Sequence, residues 1–277
     1  MPLNLKQVKW KSSAAIGGGI LLSLILIAIF GPILAPSDPY ELNFEEKLQP
    51  PSFKHVFGTD EFGRDIFIRV IHGARLSLGI AAITLLISAL LGTFIGMIAG
   101  YLGGWVDEIL MRIADIFLSI PSLILALAIT ASLGPSLSNV MIAIGIAWWP
   151  LYARLMRAQV LGVKQNQYVL ASQAMGGSAG YILLRHILPN SISPIMINAA
   201  MDIGNILLAV TALGFIGFGA QPPFPEWGRL VVDGRAYLLS AWWYSTLPGF
   251  AIFIAVLSAN LLSDGLRDIL DPRWKYE

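Results

Sequence analysis

The sequence predicts an all-α, polytopic membrane protein with about six transmembrane helices and a cytoplasmic loop between the fourth and fifth. Three observations carry that prediction. Of the 277 residues, 56% are Ala, Val, Ile, Leu, Met, Phe, Trp, Tyr or Cys, and only 13% are charged. Soluble domains run at about 25% charged, and a globule of this size has too little interior for so much apolar surface. The apolar residues also gather into runs near the ~20 residues that cross a hydrocarbon core. Finally, Lys and Arg are distributed unevenly among the segments between those runs, as the positive-inside rule requires.

The first run is Ala14–Ala35, preceded by Lys6, Lys9 and Lys11. No small-x-small cleavage site precedes its exit Gly31-Pro32…Ala35-Pro36, so it reads as an uncleaved span rather than a secretory signal. The polar stretch from Pro36 to Arg75 follows, completing an N-terminal unit, residues 1–75. The second span, Leu76–Gly100, carries Gly92, Gly96 and Gly100 at i, i+4 and i+8, a stripe that permits close approach of another helix. Its neighbour could lie within the chain or in a partner. A third span, about Ile109–Leu133, contains Pro121 and carries Arg112 and Asp115, expected to pair at i, i+3. The turn Gly134-Pro135-Ser136 leads to a fourth, Leu137 to about Tyr152. A fifth runs Ile192–Phe218 and a sixth Trp243–Leu262. Residues 76–277 would then form a five-helix core with a loop at about 153–190. Pro121, Pro150, Pro194 and Pro248 supply candidate bends.

Lys6, Lys9 and Lys11 place the N-terminus in the cytoplasm, and six spans return the C-terminus there. The Tyr152–Asn190 segment then also faces the cytoplasm. It holds Arg154, Arg157, Lys164 and Arg185, with no acid between Asp115 and Asp202, which agrees independently.

Several chemistries are set aside. The net charge of +1 supplies no field for nucleic acid. With no Cys there is neither thiol nucleophile nor thiolate metal site. His55, His72 and His186 form no metal-ligand pair, no GxSxG context surrounds a serine, and no GxxxxGK[ST] phosphate loop occurs. No catalytic residue, metal or cofactor is therefore assigned to this chain. Asp202 is the clearest intramembrane ionisable residue, with Asn198 and Asn205 at −4 and +3 on its helix face. The three could be a polar seam between helices or line a permeation path. For Gly58-Thr59-Asp60-Glu61-Phe62-Gly63-Arg64-Asp65, a structural elbow is preferred over substrate contact, with Arg64 and Asp65 pairing locally. Trp227, Trp242 and Trp243 fit an interfacial belt or a vestibule.

Within the cytoplasmic loop, Tyr168 to Met175 has a short helical pattern that stops at Gly176-Gly177. Leu170, Ala171, Ala174 and Met175 share an apolar face, and a second helical stretch is expected to end at Pro189-Asn190. This segment resembles the EAA loop of binding-protein-dependent ABC importer permeases: Gly176, Leu188 and Pro189 fall at the matching spacing. Leu170 stands at the Glu position, and Ser172 at the second Ala. The stretches Phe57–Ile66, Gly73–Leu78, Ala212–Gly228 and Asp264–Pro272 are similar to the C-type permeases of dipeptide, oligopeptide and nickel importers, dipeptide permeases above all.

The resemblance implies one half of a translocation path for di- or oligopeptides. The implied partners are a second homologous permease, two cytoplasmic ATPases that use ATP and Mg, and an extracytoplasmic substrate-binding protein. Tyr168, Leu170, Ala171, Ser172, Ala174, Gly176, Leu188 and Pro189 would couple the chain to an ATPase. Two rival readings are a nickel or other solute importer of the same family, and a stand-alone secondary transporter or channel with Asp202 as its ion site.

Overall fold

The computed structural model describes residues 5–270. Among them no strand forms, and ten α-helices follow in order: α1 (Leu5–Leu34), α2 (Ile66–Leu102), α3 (Gly104–Leu118), α4 (Ser122–Leu133), α5 (Leu137–Val163), α6 (Gln167–Ala174), α7 (Ala179–Ile182), α8 (Leu188–Phe215), α9 (Trp227–Gly234) and α10 (Trp243–Leu270). Four stretches are long and apolar enough to cross a membrane: Ser13–Ile33, Ile66–Leu102, Ala179–Phe215 and Trp243–Ile269. The helices α3 and α4 qualify together but are bent by 87°. Pro121 has no N–H to continue the ladder, so α3 stops at Leu118 and α4 starts afresh at Ser122. At 27 residues α5 is long enough, though Trp148-Trp149-Pro150, Arg154 and Arg157 dilute its apolar character. A total of six spans requires both the bent pair and α5.

The helices outrun the apolar runs. Asp65 caps α2, accepting from the Ile68 N–H at 3.1 Å, so the helix begins ten residues before Leu76. Beyond Tyr152, α5 continues for three turns, which puts Arg154 and Arg157 on helix rather than in a loop.

Between α7 and α8 there is no break. Leu183–Ile187 forms a π-turn in which the Leu188 N–H bonds back to the Leu183 carbonyl. Pro189 therefore sits in the first turn of α8 and does not end a helix, correcting the sequence reading. A register shift of one residue removes the demand for the donor that proline lacks.

The core lies where α2, α5, α8, α9 and α10 meet, around Ile66, Ile144, Ile206, Leu213, Trp227 and Tyr244. Its tightest seam joins α2 to α5. A Cβ on Gly92 would lie 2.3 Å from the Trp149 carbonyl oxygen, and one on Gly100 2.9 Å from the Val160 Cβ. The stripe therefore packs within the chain.

Candidate coupling helix and polar seam

A single buried side chain ties α6 to the bundle. Val169 is wholly enclosed beside Ile182 and Ile187, while Leu170, Ala171, Ala174 and Met175 are all exposed. Met175 stands 87% free. The helix closes with both bonds of a Schellman turn: the Gly177 N–H donates to the Ser172 carbonyl and the Gly176 N–H to that of Gln173, each at 3.0 Å. Gly176 takes φ +81°, the left-handed conformation the turn requires. Ser172 is half-buried, and its carbonyl would lie 2.8 Å from a Cβ on Gly177. Tyr168 and Tyr181 flank the His186 ring, with centroids at 6.0 and 5.4 Å, and brace α6 against the second stretch. Leu188 is partly buried and Pro189 exposed, both on the continuous helix behind the turn.

At the same end, α3 and α5 are bolted together by charge. Arg157 grips Asp107 with two bonds of 2.5 Å, and Arg154 pairs with Asp115. Arg112 pairs with Glu108 at 3.8 Å, not with Asp115 as the sequence suggests. A residue on the neighbouring helix outcompetes the local i, i+3 partner, a contact invisible to helical spacing. The Lys164 ammonium reaches the Tyr101 carbonyl at 2.6 Å, closing the α2–α5 seam at its end.

Asp202 lies midway along α8. Its Oδ2 accepts from the Tyr152 hydroxyl at 2.6 Å, and its Oδ1 from the Asn205 amide at 3.0 Å. Asn198 is not part of this group: its amide bonds back to the Pro194 carbonyl at 2.9 Å. The seam is thus Tyr152, Asp202 and Asn205. Tyr152 has no signal in the sequence, because a partner fifty residues away is set by the α5–α8 crossing.

The opposite end is knit by residues 36–65 and α9. Asp60 is fully buried and accepts from the Phe62 and Arg64 backbone N–H groups and from Arg64 Nε at 2.6 Å. Arg64 therefore pairs with Asp60, whereas Asp65 is taken up by the α2 cap and by His55 at 2.8 Å. The guanidinium of Arg69, wholly buried, donates to the Pro39 carbonyl at 3.0 Å and lies 3.7 Å from Asp60. Gly63, at φ +75°, leaves no space for a side chain, since a Cβ would fall 1.7 Å from the Asn43 carbonyl oxygen. The motif is an elbow that seats α2.

Glu226 caps α9, accepting from the Gly228 and Arg229 N–H groups at 2.9 and 2.8 Å and from the Ser77 hydroxyl at 3.2 Å. Burial pushes its carboxyl above the usual range, and those three donors pull against the shift. Trp227 and Trp243 are buried, with their indole N–H groups on the Val70 and Thr59 carbonyls at 2.8 and 3.3 Å. Of the three tryptophans weighed for a membrane belt, Trp242 alone is exposed.

Long apolar helices, a bent pair and one exposed helical knob define a polytopic integral membrane protein. The chain belongs to the family of binding-protein-dependent transport system inner membrane components, whose model matches residues 92–276. Residues 6–51 match the N-terminal transmembrane domain of oligopeptide transport permease C. The chain is similar to the dipeptide transport system permease protein DppC of Alkalihalophilus pseudofirmus, 47% identical over 270 residues, 98% of this chain and 89% of that one. It is also similar to the probable D,D-dipeptide transport system permease protein DdpC of Escherichia coli, 46% identical over 254 residues, 92% and 85% of the two chains. A third relative is the glutathione transport system permease protein GsiD of Pectobacterium atrosepticum, 40% identical over 263 residues, 95% and 87%.

Proposed function

We propose that this chain is one permease subunit of an ATP-driven importer and forms half of the path for dipeptides. The observation that carries the reading is α6: an apolar knob, anchored by buried Val169 and closed at Gly176, standing free of its own bundle. Leu170, Ala171 and Ala174 form the face for a cytoplasmic ATPase, with Tyr168 and Ser172 at its margins. Leu188 and Pro189 pass its movement into α8, whose helix is continuous with the π-turn behind α6. A short helix on a rigid span moves as one body. Its partners are a second homologous permease, two ATPases that hold ATP and Mg, and an extracytoplasmic binding protein.

In this reading residues 1–75 carry the first helix and the external elbow, and residues 76–277 the core. Both termini and the loop at about 153–190 face the cytoplasm of a prokaryotic inner membrane. The peptide named in each of three relatives favours peptides over nickel as cargo. Membership of a binding-protein-dependent family replaces the stand-alone transporter reading.

Reconstitution tests this. The chain is placed in proteoliposomes with the second permease, the ATPases and the binding protein. Uptake of radiolabelled Ala-Ala should require ATP, Mg and every partner. Uptake by this chain alone, or without ATP, would refute the reading.

A further inference from the structure

Asp202 is a carboxylate within a membrane span that meets no cation among the described residues. It lies 13 residues from Phe215 at the end of the helical run Ala179–Phe215, or about 20 Å at the α-helical rise. That distance puts it well inside a hydrocarbon core ~30 Å thick. Among the described residues no Lys, Arg or His pairs with it; their ion pairs go to Glu46, Asp60, Asp65, Asp107, Glu108, Asp115 and Asp233. Instead, two neutral groups hold it, the Tyr152 hydroxyl on Oδ2 and the Asn205 amide on Oδ1. Such residues in spans are costly and normally face a bundle interior or a water-filled path.

The arrangement is half complete. An ionised carboxylate has about four acceptor positions, and two are filled. The Tyr152 ring is buried, so one donor approaches from a fixed direction. Asp202 itself is half-buried, and Met201, Asn205 and Leu208 beside it are exposed at i, i+4 and i+7. The unfilled lone pairs are therefore reachable from the open side of α8. The group that fits is a compact cation able to donate to both oxygens at once. A metal ion is a poor match, since no cluster of three or more His, Cys, Asp or Glu lies among the described residues.

We propose that Asp202, oriented by Tyr152 and Asn205, is the subsite that takes the N-terminal ammonium of a peptide passing this half of the path. The inference rests on the peptide-importer reading above. Every free peptide carries that ammonium whatever its side chains, so one carboxylate serves many cargoes. A single charged contact also holds weakly enough to release, as a path requires.

The test uses the assembled complex of both permeases and both ATPases in lipid nanodiscs, without binding protein. Saturation-transfer NMR with millimolar Ala-Ala reads weak occupancy directly. Wild type should give a signal, and N-acetyl-Ala-Ala should give none. Asp202→Asn preserves the shape and removes the charge, and should weaken the Ala-Ala signal on the order of tenfold, the usual scale for losing a hydrogen bond to a charged group. Tyr152→Phe should fall between. Equal signals from wild type and Asp202→Asn overturn the subsite, as does an equal signal from the N-acetyl peptide or none from wild type. A lower yield of intact complex with Asp202→Asn also overturns it, since the carboxylate would then be paired with the second permease. ATP-dependent Ala-Ala uptake by wild type tests the importer reading separately: it can stand while the subsite falls.

Discussion

Gly96 on α2 lies against Ala153 on α5 so closely that a Cβ on the glycine would sit 2.2 Å from the Ala153 carbonyl oxygen. The obstacle is backbone, which cannot turn aside as a side chain can. Hydrocarbon tails are as apolar as leucine, so close packing rather than solvent exclusion holds two such helices together. The seam has a counterpart on α5, where Gly145 receives the Ile87 side chain.

Gly96→Leu should therefore destabilise the subunit by more than the ~1–3 kcal/mol typical of overpacking. Gly79→Leu is the control, because a Cβ at Gly79 meets nothing within 4 Å on the same helix. Thermal unfolding in detergent checks the pair. A Gly96→Leu midpoint equal to that of Gly79→Leu would show that the α2–α5 contact contributes little.

Glu226 offers a prediction in pH. Its carboxyl is raised above the ordinary value of 4.5 by burial. The folded state thus holds the proton more tightly than the unfolded chain. The resulting stability is full below 4.5 and is lost as pH rises through the elevated folded value. Glu226→Gln cannot ionise, and its one oxygen can accept from only one of the Gly228 and Arg229 N–H groups, so it should lower the midpoint at every pH while flattening that decline. Unfolding midpoints measured at stepped pH from 4 upward compare the two. Parallel profiles would mean that Glu226 does not titrate in this range.

The Lys and Arg distribution predicts which end is cytoplasmic, and single cysteines in this Cys-free chain can check it. Glu45 and Gln165 are both exposed, at opposite ends of the bundle; Lys275 lies outside the described residues. In intact cells an impermeant thiol reagent should label Glu45→Cys and spare Gln165→Cys and Lys275→Cys. Labelling at 165 from outside would invert the topology.

What the sequence made legible was whatever depends on neighbours along the chain. Runs of apolar residues marked the long helices, Gly176-Gly177 marked the end of α6, and Gly58 and Gly63 marked the elbow. Contacts between distant residues left no such trace. Arg154 took Asp115 from Arg112, Asp60 took Arg64 from Asp65, and Tyr152 reached Asp202 across the α5–α8 crossing. Trp227 and Trp243 suit a membrane interface by residue type, yet Trp227 at the start of α9 bonds to Val70 on α2, and Trp243 at the start of α10 bonds to Thr59 in the elbow. Pro189 misled because a π-turn made room for it. Composition also placed the start of α2 too late: Asp65, a polar residue, begins the helix by capping it, before any apolar run is visible.

The most consequential prediction concerns α6. At φ +81° Gly176 occupies backbone that a β-branched residue enters only at a cost of order 1–2 kcal/mol or more. A Cβ there meets no other atom within 4 Å, so that penalty comes from backbone conformation rather than collision. Gly176→Val should open the Schellman turn and shift α6 relative to the helix behind it. Ala171 is exposed, so Ala171→Arg should leave the fold intact while putting a long charged side chain on the apolar face. Each variant should abolish ATP-dependent peptide uptake and the stimulation of ATPase activity by loaded binding protein, with binding-protein capture of peptide unchanged. Because Leu170, Ala171 and Ala174 are uncharged, attachment of the ATPase should change little between low and moderate salt. Proteoliposomes that report uptake and hydrolysis together decide the matter. Wild-type uptake by both assembled variants would show that α6 is not the element that carries ATPase motion into the permease.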